Sequence, residues 1–296
     1  MNKKILYLHV GWSKTGTSAV QSQAQRQRED LLANGVLYPQ SLQWPDHSHH
    51  PFALAFKGDK GGGYSVDMSA VDAMNMLKSE LQDSGAESVL ISSELSPIYY
   101  HNPRFVEFVN ESFDEVKVLF TVRLQSELLM SLMNQLVKDP NIRYKGSIFQ
   151  LAIQNLNTLS YYKRIKVWEK FVGKANIHCF SYSKNIVGDF LNFFGVELDD
   201  LGNELVINKS VPNRILPLLQ SLSPELTNQQ YLDKTEELIR QTQSEAHGYK
   251  QIELFSVGEQ HAYDNYFEVM NHELTKEYLT EKFPKDKEYR SVLVFT

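Results

Sequence analysis

Residues 5–18 constrain this chain more than any other stretch: the apolar run Ile5-Leu6-Tyr7-Leu8-His9-Val10 passes straight into Gly11-Trp12-Ser13-Lys14-Thr15-Gly16-Thr17-Ser18. A nearly continuous apolar run of this length suits a strand buried on both faces of a parallel sheet. The segment after the loop, Thr17 to Asn34, reads as a helix closed by Gly35. The glycine-containing loop therefore joins the carboxyl end of a strand to the first turn of a helix. At such a junction backbone N–H groups and the helix dipole hold oxyanions. Glycine lets the backbone approach the anion, Lys14 supplies charge, and Thr17 and Ser18 supply hydroxyl donors. A glycine turn with a solvated lysine is the plain alternative, and the strand–loop–helix context favours anion binding over it.

The same alternation continues down the chain. Val36-Leu37-Tyr38 before Pro39 is a second short strand, Ser88 to Ser92 a third ending in Ser93-Glu94, Val116 to Val122 a fourth ending at Arg123, and Asn176 to Tyr182 a fifth. Helical spacing covers 71–81, 103–113, 125–138, 147–157, 159–172 and 187–194, with Asp139-Pro140 and Gly195 as stops. Alternating strands and helices predict an α/β fold: a P-loop-like, doubly wound parallel sheet flanked by helices over residues 1–205. Residues 206–296, polar and helical apart from the closing Val292-Leu293-Val294-Phe295, are expected to form a C-terminal extension packed on that core. The stretch from His47 to Asp67, with Gly61-Gly62-Gly63 inside it, has no periodicity and predicts a long mobile loop. Ligands of such sheets bind at the carboxyl ends of strands, so Gly11 to Ser18, Ser92 to Glu94 and Arg123 are the positions that matter.

Composition removes several classes of function. A chain of 296 residues that is 42% hydrophobic has enough apolar material for a real core. The net charge of −6, with no Lys/Arg-rich run, offers no footprint for nucleic acid or an anionic membrane. No stretch approaches the ~20 apolar residues of a membrane span, and the N-terminal run, broken by His9 and ended at Gly11, is too short for export. The single cysteine, Cys179, excludes an internal disulfide and a cysteine-based zinc site, and its apolar neighbours predict a buried core thiol. A cytoplasmic setting is expected.

The loop also separates two phosphate-binding chemistries. A P-loop nucleoside triphosphatase carries Gly-x-x-x-x-Gly-Lys-[Ser/Thr], whereas Gly16 here is followed by Thr17 and the lysine precedes the glycine by two. No expected strand ends in the aspartate that orients magnesium in those enzymes. Lys14-Thr15-Gly16-Thr17-Ser18 instead resembles the 5′-phosphosulfate-binding loop of the sulfotransferases that use 3′-phosphoadenosine 5′-phosphosulfate, and Leu8 through Ser18 is most similar to their bacterial and Golgi carbohydrate members. The resemblance implies that Lys14 meets the sulfuryl group and its bridging oxygen, and that Thr15, Gly16, Thr17 and Ser18 hold the 5′-phosphate. Val118 to Arg123, with Ser131 eight residues on, resembles the family's 3′-phosphate element, implying Arg123 and Ser131 as ligands. Likeness extends over about residues 1–200. The family's Arg-Lys-Gly nucleotide-covering motif is absent, and Asn208-Lys209-Ser210 opens the region where other adenosine contacts would lie.

Sulfuryl transfer needs a base for the acceptor proton and positive charge near the leaving oxygen. Glu94, just beyond a strand end, is one candidate base, its alternative role being a hydrogen bond to the following loop. His50, from Asp46-His47-Ser48-His49-His50-Pro51, is the other; histidine is the base in many family members and glutamate in some that act on glycans. The three histidines alone make a weak case for zinc, and no metal is expected. His9 reads as a hydrogen-bonded core residue. The sequence thus leads to a sulfotransferase with 3′-phosphoadenosine 5′-phosphosulfate as co-substrate and a glycan or other hydroxyl or amine acceptor. A P-loop kinase or nucleotide hydrolase, and a catalytically silent nucleotide-binding module, are the alternatives.

Overall fold

Five strands form one sheet in which every pairing is parallel, in the order β2-β3-β1-β4-β5. They are β1 (Ile5–His9), β2 (Val36–Leu37), β3 (Ser88–Ser92), β4 (Glu115–Val122) and β5 (Ile177–Ser181). The structure, a computed structural model, describes residues 3–57, 66–95, 102–199, 210–244, 254–279 and 283. The closing stretch 292–295 and Asn208-Lys209 lie outside them. The α/β fold with a parallel sheet flanked by helices is therefore as the alternation predicts.

The chain divides into two compact units. The first, residues 1–123, 161–207 and 273–284, holds the whole sheet. The second, residues 124–160, 208–272 and 285–296, is helical among its described residues. Besides most of the C-terminal region it takes in residues 124–160.

In the first unit β1 is the middle strand because Leu6 and Leu8 are fully buried and its neighbours can cover it on both sides. One face of the sheet packs Leu90 and Leu119 against Val20, Ala24, Leu31, Phe190 and Leu191. These come from α1 (Thr17–Arg26), α2 (Arg28–Ala33) and α9 (Ile186–Asn192). The expected helix 17–34 is thus two helices, joined at Gln27. A second group of helices comprises α3 (His50–Ala55), α4 (Ala70–Ser84), α5 (Pro103–Ser112) and α8 (Tyr161–Val172). Phe105 of α5 ties this group together, its ring centre 5.2 Å from that of Phe56 and 6.4 Å from that of Phe171.

Two readings of the sequence need correction. The segment expected as a mobile loop contains α3, a six-residue helix with Pro51 in its first turn. Pro51, Phe52, Ala53 and Leu54 are all buried, so packing makes a helix where too few turns existed to give a period. Gly61-Gly62-Gly63 lies outside the described residues. Cys179 is on the edge strand β5 and only partly buried, because an edge strand has a neighbour on one side alone; its thiol pKa is pushed up by desolvation.

The second unit contains α6 (Gln125–Lys138), α7 (Ile148–Asn155), α10 (Leu216–Ser221), α11 (Asn228–Ser244) and residues 257–272 of α12 (Val257–Tyr278). Its polar groups are paired with care. No side chain of α6's own N-cap residue closes that helix, and the Asp264 carboxylate does so from α12, accepting from Ser126 N at 3.1 Å and Ser126 Oγ at 2.7 Å. Asn134 exchanges two hydrogen bonds with the Val211 backbone, and buried Tyr231 donates to Val137 O at 2.6 Å.

The first unit also buries two histidines. His49 N donates to Ser92 O at 2.8 Å, Ser92 N donates to His49 Nδ1 at 3.1 Å, and His49 Nε2 meets Pro39 O at 2.8 Å. The strand-end ladder is thereby extended by an imidazole. Desolvation holds the pKa of both His49 and His9 down at about 4, against partly compensating hydrogen bonds and carboxylates. The unfolded chain takes up these protons near pH 6.5, before the folded chain does. Stability should therefore be complete above pH 6.5 and fall as pH drops toward 4, by on the order of 3 kcal/mol per histidine. Urea unfolding between pH 7.5 and 4.5 measures this, and His49→Gln should flatten the slope; a wild-type stability that is level across the window would refute it.

Candidate active site

The sheet ladder runs one residue past the ends of its central strands. Val10 N donates to Leu119 O at 3.1 Å and Ser93 N donates to His9 O at 3.0 Å. The loop after β1 and the residue pair Ser93-Glu94 after β3 therefore leave the same edge side by side.

The loop is tightly determined. A Cβ on Gly11 would lie 2.7 Å from Thr17 Cγ2 and 3.3 Å from His9 Nε2, so only glycine lets the chain fold back across the start of α1. Thr15 is fully buried and donates its hydroxyl to Trp12 O at 2.5 Å, while the Trp12 ring stands edge-on to Tyr161 with centres 4.5 Å apart. Lys14 has φ 70, the left-handed region that a residue with a Cβ rarely enters. Gly16 follows with φ 87 and is the N-cap of α1. Being glycine it contributes no capping side chain, and the first turn of α1 contains no acidic residue. The positive end of the helix thus has no capping side chain or acidic residue of its own, and the carboxylate it meets is Glu94, which accepts from the Thr17 hydroxyl.

Arg123, directly after β4, donates from Nη1 to Lys14 O at 3.2 Å and lays its guanidinium 4.4 Å from the centre of the Tyr182 ring. Its own carbonyl accepts from Tyr161 Oη at 2.8 Å. Lys14, Thr15, Gly16, Thr17, Ser18 and Arg123 are accordingly gathered at one strand edge of the first unit. Ser131 falls in the second unit, half-buried in the middle of α6.

Both candidate bases arrive at the same place. Thr17 donates its hydroxyl to Glu94 Oε1, Gln21 Nε2 donates to Glu94 Oε2 at 3.3 Å, and His50 Nε2 stands 3.7 Å from Glu94 Oε2. His50 Nδ1 is 2.8 Å from Ser93 Oγ, which already accepts from Leu95 N at 3.2 Å. The imidazole is thus held by Ser93 through Nδ1, with Nε2 turned toward the carboxylate. Trp44 closes the other side, its ring centre 5.2 Å from that of His50. Glu94 and His50 are a pair rather than alternatives in separate places. His49 is occupied with the Pro39 and Ser92 backbone, and His9 Nδ1 with Ser92 Oγ at 2.8 Å, so both serve structure. Among the described residues no group of three His, Cys, Asp or Glu side chains is arranged for a metal ion, and no helix is long and apolar enough to cross a membrane.

Sequence reasoning missed Gln21 and Tyr182, and it marked Ser92 and Ser93 only as part of a strand end, without a role. Gln21 carried a signal, since it lies one helical turn beyond Thr17 and must share its face. The serines and Tyr182 are brought in by strand register alone.

No family model matches this chain, and no curated protein matches it in sequence. Among solved structures it is similar to a sulfotransferase from Alicyclobacillus acidocaldarius, with 15% identity, a TM-score of 0.42 and coverage of 81% of this chain and 96% of that one. It is also similar to the sulfotransferase domain from the curacin biosynthetic pathway, with 13% identity, a TM-score of 0.37 and coverage of 90% and 98%.

The loop geometry makes a separable prediction. Gly16 and Gly35 both have positive φ, but a Cβ on Gly16 would sit 2.9 Å from Ile186 Cγ2, whereas one on Gly35 meets nothing within 4 Å. Gly35→Ala should cost only the left-handed strain, about 1–2 kcal/mol. Gly16→Ala should cost measurably more in chemical unfolding, and equal losses would show that the Ile186 contact does not shape the loop.

Proposed function

We propose that the first unit binds 3′-phosphoadenosine 5′-phosphosulfate and transfers its sulfuryl group to a hydroxyl or amine acceptor, with glycans as the acceptor class. One observation carries this reading. A helix start left open to an anion, with Lys14 in its loop, is hydrogen-bonded through Thr17 to a carboxylate that has an imidazole beside it. The first is a seat for a phosphosulfate, and the second is a means of taking a proton a short distance from it.

The residues fit that donor. Gly16 lets the loop close against Ile186 and Tyr182, and the N–H groups of Thr17 and Ser18 open the helix. The Ser18 hydroxyl is exposed and able to donate, whereas the hydroxyls of Thr15 and Thr17 are committed to Trp12 and Glu94, so these two contribute through the backbone. The donor supplies an activated sulfuryl group whose bond to the 5′-phosphate oxygen breaks in the reaction. Lys14 neutralises the charge that gathers on that oxygen. Arg123, held by Lys14 O and Tyr182, offers a guanidinium fork for the 3′-phosphate. Glu94, with His50 alongside, accepts the proton of the attacking hydroxyl or amine. A single partly buried cysteine is in keeping with a cytoplasmic setting.

Adenosine 3′,5′-bisphosphate should bind in calorimetry with EDTA present, and much more tightly than ATP. Equal affinities, or a strict need for magnesium, would overturn the assignment in favour of a kinase or nucleotide hydrolase. Arg123→Ala should lose on the order of 2–4 kcal/mol of affinity for the bisphosphate and little for adenosine 5′-phosphate. A mutant that still distinguishes the two as wild type does would remove Arg123 from the site.

Glu94→Gln should lower turnover by about 10²- to 10⁴-fold while leaving bisphosphate affinity nearly intact. A fully active Glu94→Gln beside an inactive His50→Asn would move the base to the imidazole. Loss of donor affinity or melting temperature without loss of turnover would reduce Glu94 to a brace for the loop.

A further inference from the structure

Gln21 is almost wholly buried at 2% exposure, although its side chain is an amide. Burying an amide is unfavourable unless its hydrogen bonds are met, so the partners it meets are informative. Its Nε2 has two hydrogens and two acceptors: Glu94 Oε2 at 3.3 Å and Ser92 Oγ at 3.1 Å. The second partner is itself held, since Ser92 Oγ is 2.8 Å from Nδ1 of buried His9 in the central strand. Glu94, on the turn after β3, is thereby referenced to two rigid elements at once. Gln21 ties it to α1 and to the end of β3, and Thr17, four residues earlier on the same face of α1, ties its other oxygen.

We propose that Gln21 is a positioning residue that orients the Glu94 carboxylate against the donor loop, acting in the reaction only through Glu94. This rests on Glu94 being the proton acceptor of the proposed transfer. An amide donates at every working pH and takes no proton itself, so Gln21 steers the carboxylate without competing for its task. Thr17 and Gln21 together take one lone pair on each carboxylate oxygen, leaving others for the acceptor proton. Because Thr17 and Gln21 lie on the helix whose first turn seats the donor, the base and the donor site move as one body. A catalytic group held this way keeps its distance to the reacting atoms without relying on the loop that carries it.

The test is a double-mutant cycle with a spectroscopic control. Gln21→Met keeps the length and removes the donor. It should lower turnover about 10- to 100-fold, the range expected for losing a hydrogen bond to a charged group, with bisphosphate affinity and donor KM changed by less than about threefold. In the Glu94→Gln background the same substitution should cost nothing further in turnover, because its route of action is already gone. An equal loss in both backgrounds, or a loss confined to KM, overturns the proposal and leaves Gln21 a core residue. The side-chain amide signals of Gln21 in ¹⁵N–¹H spectra need no change at position 21 and no activity. They should be protected from exchange in wild type and shift in Glu94→Gln, and unshifted signals would overturn the contact itself. If Glu94→Gln alone keeps full turnover, the base assignment fails while these signals still decide whether Gln21 holds Glu94.

Discussion

Parallel pairing of β1 with β3 on one side and β4 on the other is the constraint on which the rest of the first unit depends. The register sets His9 level with Ser92 and with Leu119. The strand-end residues of the candidate site follow from that alignment. Gly11 to Ser18 leave the end of β1, Ser93 and Glu94 the end of β3, and Arg123 the end of β4. A slip of one residue between β1 and β3 would carry Glu94 away from Thr17, and one between β1 and β4 would carry Arg123 away from Lys14 O. The buried leucines and valines of the sheet thus hold the polar edge in place.

What fills that edge is a network with few loose ends. Thr17, Gln21 and His50 converge on one carboxylate, and Ser92, His9 and His49 tie its strand to the neighbouring loop. In a buried setting such a network rigidifies when its members are satisfied and is expensive when they are not. The two fully buried histidines are held neutral by desolvation, which leaves the network without uncompensated positive charge close to the strand ends. The loop after β1 stores tension of another kind, with Lys14 in a left-handed backbone conformation between Trp12, packed on Tyr161, and the buried Thr15, whose hydroxyl donates to Trp12 O. Strain kept in a loop by its neighbours fixes where the Lys14 side chain leaves the backbone, which the role proposed for it requires.

The five strands were legible because each is a short apolar run bounded by a turn signal, and the strand–loop–helix junction at Gly11 to Ser18 because its glycines end one period and open another. The helix α3 was not. Six residues do not complete two turns, and only the burial of Phe52 and Leu54 reveals them as a helix. The break of the first helix at Gln27 and the inclusion of residues 124–160 in the second unit were equally hidden, since both follow from packing between segments far apart in the chain. Of the candidate bases, Glu94 and His50 could each be named but not related, because 44 positions separate them and only the docking of the start of α3 on the end of β3, through His49 and Ser92, brings them to 3.7 Å.

The sequence by itself determined the class of fold and the place where a strand passes through a glycine loop into a helix. Alternating apolar runs and helical spacing lead to a parallel sheet with helices, and the glycines of Gly11 to Ser18 lead to a tight loop at the start of a helix, both through local backbone chemistry. Only the tertiary structure decided which polar side chains act together. Gln21, Ser92, His9, Glu94 and His50 come from three separate stretches of chain. Their hydrogen bonds exist because strands drawn together by hydrophobic burial set His9 beside Ser92 and Glu94 beside α1. Side-chain partnership of that kind is a property of register and packing, and no local pattern of residues encodes it.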